Sequence, residues 1–190
     1  KMEFFNDDEC KVLIQSLTEL TGSKLKYKVA ILLDIFSGIR RGELIGLEWS
    51  DVDFKNETIN INKSTQYLPE NGIFDKDTKT ESSNRIVPIP DYITKTLLEY
   101  REWYDEQKDI WGDKWIESNK LFVQDNGKPM HPDTIGKWFK PYIEELGLPI
   151  IKFHGIRHTN ATLMIANNVD IATVSARLGH ASINTTIKYY

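Results

Sequence analysis

The stretch that decides the fold is residues 153–190, FHGIRHTNATLMIANNVDIATVSARLGHASINTTIKYY. It begins with a His-x-x-Arg pair, His154 and Arg157, and continues to a Leu-Gly-His sequence that ends at His180. Tyr189 follows His180 by nine residues. One short segment therefore supplies imidazole, guanidinium and phenol groups.

The spacing within this segment predicts three helices that would hold these groups. His154 and Arg157 are three residues apart, so they would share one face of the first helix. Asp170 is the predicted N-cap of the second helix, and Gly179 is its predicted end. Asn184 is the predicted cap of a last short helix that carries the tyrosine.

Side chains of these types suit attack on a phosphate without a metal ion. Attack by an oxygen nucleophile adds negative charge to a phosphodiester, so the site must offset that charge with fixed cations and donors. A guanidinium can hold two phosphate oxygens at once, and an imidazole can move a proton near neutral pH. A phenol has a pKa of about 10. It therefore needs positive charge nearby to act as a nucleophile, and its attack would form a covalent phosphotyrosine.

The segment HGIRH…LGHASINTTIKYY resembles the C-terminal signature of the tyrosine recombinases, the phage-integrase family. SGIRRGEL, residues 37–44, is similar to the first box of that family, which implies that Arg40 is the first catalytic arginine and that Glu43 braces it. Thr78-Lys79-Thr80, just before RIVPIP at residues 85–90, is similar to the family's hairpin lysine, so Lys79 is the candidate. Together the matches occur in the family's order and span Phe5 to Tyr190.

The resemblance implies a site-specific DNA recombinase or integrase, from a phage or another mobile element, that works without a metal, ATP or any other cofactor. The tyrosine attacks a DNA phosphate to give a 3′-phosphotyrosine. Two arginines hold the non-bridging oxygens, and the lysine protonates the leaving 5′ oxygen. The first histidine takes the proton of the nucleophile, and the second donates a hydrogen bond to the phosphate. The implied catalytic residues are Arg40, Lys79, His154, Arg157, His180 and the nucleophile Tyr189.

Several assignments have alternatives in the sequence. Tyr190 competes with Tyr189 as nucleophile, and the nine-residue spacing from His180 favours Tyr189. His158 lies off the motif and is interpreted as structural. Candidate DNA contacts are Arg41, Lys137 and Lys140, although a solvated lysine face explains the last two as well. Two other function classes also fit: a non-catalytic DNA-binding module, and an enzyme similar to type IB topoisomerases.

Composition sets broader limits on these interpretations. The chain has 190 residues, a hydrophobic fraction of 40%, a net charge of −4 and one cysteine, Cys10. A real core is expected, and the single cysteine fits a reducing compartment. No apolar run reaches the roughly 18 residues of a membrane span, so a cytoplasmic protein without a membrane partner is predicted. The acidic balance argues weakly against nucleic acid, but a DNA groove needs only local basic residues.

The resemblance also implies domains and partners. Residues 1–4 are expected to be the end of an interdomain linker, and residues 5–190 the catalytic domain. The family's N-terminal DNA-clamping domain and its C-terminal docking tail would lie outside this chain. The implied partner is double-stranded attachment-site DNA, on which the full-length protein would form a tetramer, with accessory DNA-bending or directionality proteins as further possible partners. The fragment alone is expected to be monomeric.

The remaining pattern predicts a mainly α fold with a small antiparallel sheet, an α+β class. Asn6 is predicted to cap the first helix in a capping box with Glu9, and an apolar helix over residues 27–36 is predicted to stop at Gly38. A β-hairpin is predicted around the turn at residues 55–57.

Further along, residues 63–84 are predicted to be polar with a turn at 69–72. Residues 85–89 are predicted to form an edge strand because of Pro88. A helix capped by Asp91 is predicted to give way to an irregular segment over residues 105–119. Residues 121–123 are predicted to form a short strand.

Overall fold

The computed structural model describes residues 3–77 and 84–190. Its helices are α1 (Asp7–Leu17), α2 (Leu25–Ser37), α3 (Arg41–Gly46), α4 (Asp91–Trp111), α5 (Thr134–Glu145), α6 (His154–Ala166), α7 (Ile171–Leu178) and α8 (Ile183–Tyr189). Its strands are β1 (Val52–Asp53), β2 (Thr58–Ile61), β3 (Lys63–Leu68), β4 (Gly72–Asp77) and β5 (Arg85–Pro88). The predicted fold class, mainly α with small antiparallel sheets, is confirmed.

Helix α2 is the centre of the core. It is apolar on nearly all sides and packs against α4, α5 and α6, so most of its side chains are buried. As predicted, α1 begins at a capping box, in which Asn6 and Glu9 exchange hydrogen bonds of 2.8 and 2.9 Å. Also as predicted, α2 stops at Gly38, which adopts a left-handed conformation with φ +61°. The chain then turns directly into α3.

Substitution of Gly38 by alanine is expected to destabilise the protein by roughly 2–5 kcal/mol, because a left-handed residue with a side chain is strained and the site is already full. An added Cβ would lie 2.6 Å from Cδ2 of Leu178 and 2.7 Å from Oδ1 of Asn160. The control is Gly147→Ala, since Gly147 has φ +67° but open space around it. Urea unfolding measures both. Equal losses for the two variants would contradict tight packing at Gly38.

The three-stranded sheet has the order β1-β2-β5, and its strands are antiparallel. The predicted hairpin is β1 and β2, which pair through Val52 and Ile59. Strand β5 lies at an edge of the described sheet, as Pro88 predicted, and Pro88 is opposite Thr58. Residues Val52, Ile59, Ile61 and Val87 turn inward to the core.

A separate hairpin is formed by β3 and β4 around the predicted turn, with Leu68 opposite Gly72. The sequence indicated only the turn. Strand β3 is polar at most positions, and its buried residue Thr65 is polar as well, so the apolar alternation of a half-buried strand is missing. The candidate Lys79 lies outside the described residues.

Three sequence predictions between residues 91 and 123 were wrong. Asp91 does not cap α4: Pro90 is the N-cap, and Asp91 is the first residue of the helix. The irregular segment predicted from residue 105 onward is helical as far as Trp111, where Gly112 ends α4. Its last turns have few inward-facing apolar residues, so their periodicity is weak. Residues 121–123 are buried but form no continuous strand, because only isolated bridges flank them, at Lys120 and Val123.

The C-terminal helices begin and end close to the predicted residues. The carboxylate of Asp170 caps α7 and accepts a 2.9 Å hydrogen bond from the backbone N–H of Thr173. Gly179 ends α7 in a left-handed conformation with φ +65°. The predicted cap of α8 was wrong: Ser182 is the N-cap, and its hydroxyl accepts from the N–H of Asn184 at 3.2 Å. In the part of the chain that is described, no helix combines the length and the apolar character needed to span a bilayer.

Candidate active site

Three of the predicted site residues meet at the C-terminal end of α7. The guanidinium of Arg157 donates to the carbonyl of Leu178 at 2.8 Å and also to the carbonyl of Gly38. Arg40 donates to the carbonyl of Gly179 at 2.9 Å. Nε2 of His180 lies 3.0 Å from Nη2 of Arg157. The two arginines come from distant parts of the sequence, and tertiary folding alone brings them together.

The backbone carbonyls at the C-terminal end of α7 explain why Arg40 and Arg157 can lie close together. The last carbonyls of a helix have no partner within the helix and form the negative end of its dipole. Arg157 is 3% exposed. Burial and the nearby Arg40 lower its pKa to about 10, so it remains charged at neutral pH. The side chain of Arg40 is 39% exposed, so it faces the solvent side of the same corner.

Glu43 lies between two arginines. Its carboxylate accepts from Nη1 of Arg40 at 2.8 Å and from Nη2 of Arg85 at 2.9 Å, and it also accepts from the backbone N–H of Arg40. Burial opposes ionisation of Glu43, but these bonds and charges outweigh it and hold its pKa below the usual range. Glu43 is therefore a buried carboxylate that fixes the start of α3. Arg85 was not identified from the sequence, where it is one basic residue at the start of a strand.

His154 is the first residue of α6 and is exposed at the edge of the cluster. Its ring packs against His158, with centroids 4.8 Å apart and planes nearly perpendicular. Partial burial, then His158 and the arginines, lower the pKa of His154 to about 4. Neutral imidazole is thus the form at physiological pH, and it can accept a proton.

The tautomer of His180 follows from its two contacts. A guanidinium only donates, so Nε2 of His180 must accept from Arg157. The proton then sits on Nδ1, which donates to the Thr186 hydroxyl at 2.7 Å. Burial and the charge of Arg157 and Arg40 lower the pKa of His180 to about 4. Thr186 was not identified from the sequence, although it is fully buried within α8.

We expect His180 to be neutral and protonated on Nδ1 at pH 6, where an unperturbed imidazole with a pKa near 6.5 would be largely charged. The sign follows from a folded-state pKa below 6.5, since the charged form then appears only in more acid solution. Nitrogen-15 NMR of the imidazole measures both properties. In Thr186→Val the Nδ1–H tautomer should persist, because Arg157 still donates to Nε2. A charged ring at pH 6 in the unaltered chain would contradict this assignment.

The structure does not bring Tyr189 into this cluster. Its side chain is half exposed and lines a small cavity of about 180 Å³ with Phe4, Thr162 and Ile165. Among the described residues, none forms a hydrogen bond with its hydroxyl. Tyr190 lies nearer: its hydroxyl is 2.5 Å from Nδ1 of His158. Attack by Tyr189 therefore requires a rearrangement of α8.

A groove of about 920 Å³ opens beside His154. Its lining includes the predicted DNA contacts Arg41, Lys137 and Lys140, together with Lys152. Arg41 forms an ion pair with Asp133 across the groove wall. Lys152 was not identified, although a basic residue just before a His-x-x-Arg pair is a usable signal.

The described residues contain no group of three His, Cys, Asp or Glu side chains that could hold a metal ion.

Comparison with known proteins places the chain in a family. Residues 3–190 match the model of the phage integrase family. A XerC-like tyrosine recombinase of Caldanaerobacter subterraneus subsp. tengcongensis is 32% identical over 201 residues, covering 100% of this chain and 50% of the relative. The ICEBs1 integrase of Bacillus subtilis is 30% identical over 191 residues, with coverage of 100% and 50%. The chain thus spans about half the length of these relatives.

Solved structures share the fold. The Tn1549 transposon integrase in complex with circular intermediate DNA superposes with a TM-score of 0.84 at 21% identity, covering 100% of this chain and 63% of that one. The XerA recombinase superposes with a TM-score of 0.75 at 26% identity, with coverage of 98% and 59%. From the family match over residues 3–190 and this shared fold, the chain belongs to the phage integrase family of tyrosine recombinases.

Proposed function

We propose that this chain is the catalytic domain of a site-specific DNA recombinase that cuts and rejoins strands through a 3′-phosphotyrosine. The observation that carries the proposal is the meeting of Arg40, Arg157 and His180 at the end of α7, with His154 at the edge of the same cluster. Two guanidinium groups fixed on helix-end carbonyls concentrate positive charge at one place, which suits compensation of a phosphate.

The proposed reaction combines this cluster with Tyr189 and Lys79, whose roles come from the family resemblance. The hydroxyl oxygen of Tyr189 attacks phosphorus, and His154, neutral at physiological pH, accepts the tyrosyl proton. The bond from phosphorus to the 5′ oxygen breaks, and Lys79 donates a proton to that oxygen. The products are a 3′-phosphotyrosine and a free 5′-hydroxyl. A 5′-hydroxyl from a partner strand then reverses the step and releases Tyr189.

Charge compensation comes from the two arginines, which would each donate to the non-bridging oxygens. Arg40 is the more exposed of the two, and Arg157 supplies charge from the buried side. To donate to the phosphate, His180 must direct an N–H toward it, whereas Nε2 accepts from Arg157 and Nδ1 donates to Thr186 in the structure. A switch of tautomer or ring orientation on DNA binding is thus part of the proposal.

The test uses attachment-site DNA nicked near the cleavage position and labelled on its 3′ side. Cleavage should trap a protein–DNA adduct that survives denaturant. Intact substrates then separate the function classes: exchange between two sites supports a recombinase, relaxation of supercoils without exchange supports a topoisomerase-like enzyme, and binding without an adduct supports a non-catalytic module.

The groove beside His154 is the proposed path of the DNA backbone. Lys137→Gln and Lys140→Gln should each weaken binding equally on all sequences and lower the salt slope of log K by about 1, because each removes one phosphate contact. Lys95→Gln is the control, since Lys95 is exposed outside the groove and pairs with Asp91. Fluorescence anisotropy at several salt concentrations measures the slope. An unchanged slope would remove these lysines from the interface.

The larger assembly belongs to the same proposal. The relatives are about twice as long as this chain, which supports a further domain in the complete protein. The family resemblance implies that this domain clamps DNA and that the complete protein forms a tetramer on DNA. The 190-residue domain alone should sediment as a monomer, and a stable multimer without DNA would contradict that expectation.

A further inference from the structure

Arg85 connects parts of the candidate site that lie far apart in sequence. Its Nη2 donates to Oε2 of Glu43 at 2.9 Å, and its Nη1 lies 3.3 Å from Oε1 of the same carboxylate. Its Nε donates to the carbonyl of Arg177, in the last turn of α7, at 2.8 Å. A single guanidinium thus joins β5, α3 and α7.

The packing around this guanidinium is tight. The side chain of Arg85 is only 8% exposed. A Cβ placed on Gly179 would lie 2.7 Å from its Nη1 and 3.0 Å from its Cζ. Gly179 is the residue whose carbonyl accepts from Arg40, and it directly precedes His180. Arg85 therefore fills the space beneath the corner where the predicted catalytic groups meet.

Glu43 is shared by Arg85 and Arg40, and this sharing has a mechanistic consequence. A buried carboxylate needs compensating charge and hydrogen bonds. With Arg85 present, Arg40 uses Nη1 for Glu43 and keeps Nη2 on the carbonyl of Gly179. Without Arg85, Glu43 would have Arg40 as its nearest cation, and the guanidinium of Arg40 would be drawn toward the carboxylate and away from the phosphate pocket.

We propose that Arg85 is a positioning residue for the cleavage reaction. It holds the guanidinium of Arg40 in place through Glu43, and it holds His180 in place through the end of α7. The inference rests on the proposed function. The side chain of Arg85 is engaged by Glu43 and by the carbonyl of Arg177, so we expect it to act through these groups and not by contact with DNA. Its effect should therefore appear in the rate of cleavage and not in the affinity for DNA.

The experiment compares Arg85→Lys with the unaltered protein, in the complete recombinase. Single-turnover adduct formation on nicked attachment-site DNA should slow by about 10- to 100-fold, because displacement of a clamp by about 1 Å is enough for such a loss. The DNA dissociation constant should stay within about twofold, since groove contacts are untouched. Lysine keeps the charge but lacks the planar fork, so a loss in this variant reports geometry.

Arg177→Lys is the matched control. Arg177 is also a partly buried arginine in the last turn of α7, but its guanidinium donates to the carbonyls of Phe36 and Pro88 and not to Glu43. Urea unfolding should show comparable destabilisation for the two variants. Only Arg85→Lys should lose cleavage rate at temperatures where both are folded. Equal rate losses in the two would mean a purely structural role and would overturn the proposal.

A second variant covers the case in which Arg85→Lys fails to fold. Gly179→Ala displaces the Arg85 guanidinium without changing any charge. Because Gly179 is left-handed, with φ +65°, the substitution also strains the backbone, so cleavage is measured at a temperature where the variant is folded; it should be slower while DNA affinity is preserved. The nitrogen-15 signals of His180 should shift in Arg85→Lys, or in Gly179→Ala if that variant is used, and should stay unchanged in Arg177→Lys. Absence of any adduct with the unaltered protein would refute the proposed function. A normal adduct rate in a folded Arg85→Lys protein would refute this inference alone.

Discussion

Tyr189→Phe abolishes the covalent protein–DNA adduct while leaving DNA binding intact: this is the largest effect expected. Removal of the nucleophilic oxygen should lower adduct formation by at least about 10³-fold. The hydroxyl has no hydrogen-bond partner among the described residues, so its loss should leave the free energy of unfolding unchanged. Denaturing gels with 3′-labelled nicked DNA and anisotropy measure the two properties.

Tyr190→Phe is the matched control, since it removes a neighbouring phenol that bonds to His158 instead. We expect its adduct yield to remain within a few fold of the unaltered protein. The opposite pattern, an adduct in Tyr189→Phe and none in Tyr190→Phe, would transfer the nucleophile to Tyr190. Tyr190 is compared directly because its hydroxyl contacts His158 and the charge of Arg157 acts on it.

Arg157→Lys should show the second-largest effect, with losses in both catalysis and stability. Cleavage should fall by about 10²–10³-fold, as for removal of one fixed donor to a developing oxyanion. The free energy of unfolding should fall by about 2–4 kcal/mol, because the buried carbonyls of Gly38 and Leu178 lose their donor. Urea unfolding and single-turnover cleavage measure the two losses.

Arg40→Lys is the contrasting variant. Its side chain is 39% exposed, so its stability loss should stay below about 1.5 kcal/mol while cleavage falls by a similar factor. If both variants lost stability equally and kept their cleavage rates, neither arginine would belong to the phosphate pocket.

Local signals explain what could be predicted from the sequence. The starts of α1 and α7 follow from Asn6 and Asp170, whose side chains bond to backbone N–H groups within three residues. The ends of α2 and α7 follow from Gly38 and Gly179, because left-handed helix ends favour glycine. Such interactions lie within one turn of chain, so the sequence contains them.

The features that could not be predicted depend on distant parts of the chain. Arg85 contacts Glu43 across 42 residues, and no local pattern distinguishes it from an ordinary surface arginine. The exposed position of Tyr189 depends on how α8 packs against α7. The last turns of α4 were misassigned because aromatic contacts such as Tyr104 with Trp115 hold them, and not an amphipathic repeat.

The hydrogen bond between Thr186 and His180 sets a condition on how the nucleophile is delivered. Thr186 lies on α8 only three residues before Tyr189, so a swing of α8 toward the arginines either carries this tether along or breaks it. Breaking it leaves the Nδ1–H without its acceptor and frees the ring to turn, so that the same Nδ1–H can donate to the phosphate. The movement of Tyr189 toward the arginines and the reorientation of the His180 ring would then be coupled, because both require the same displacement of α8.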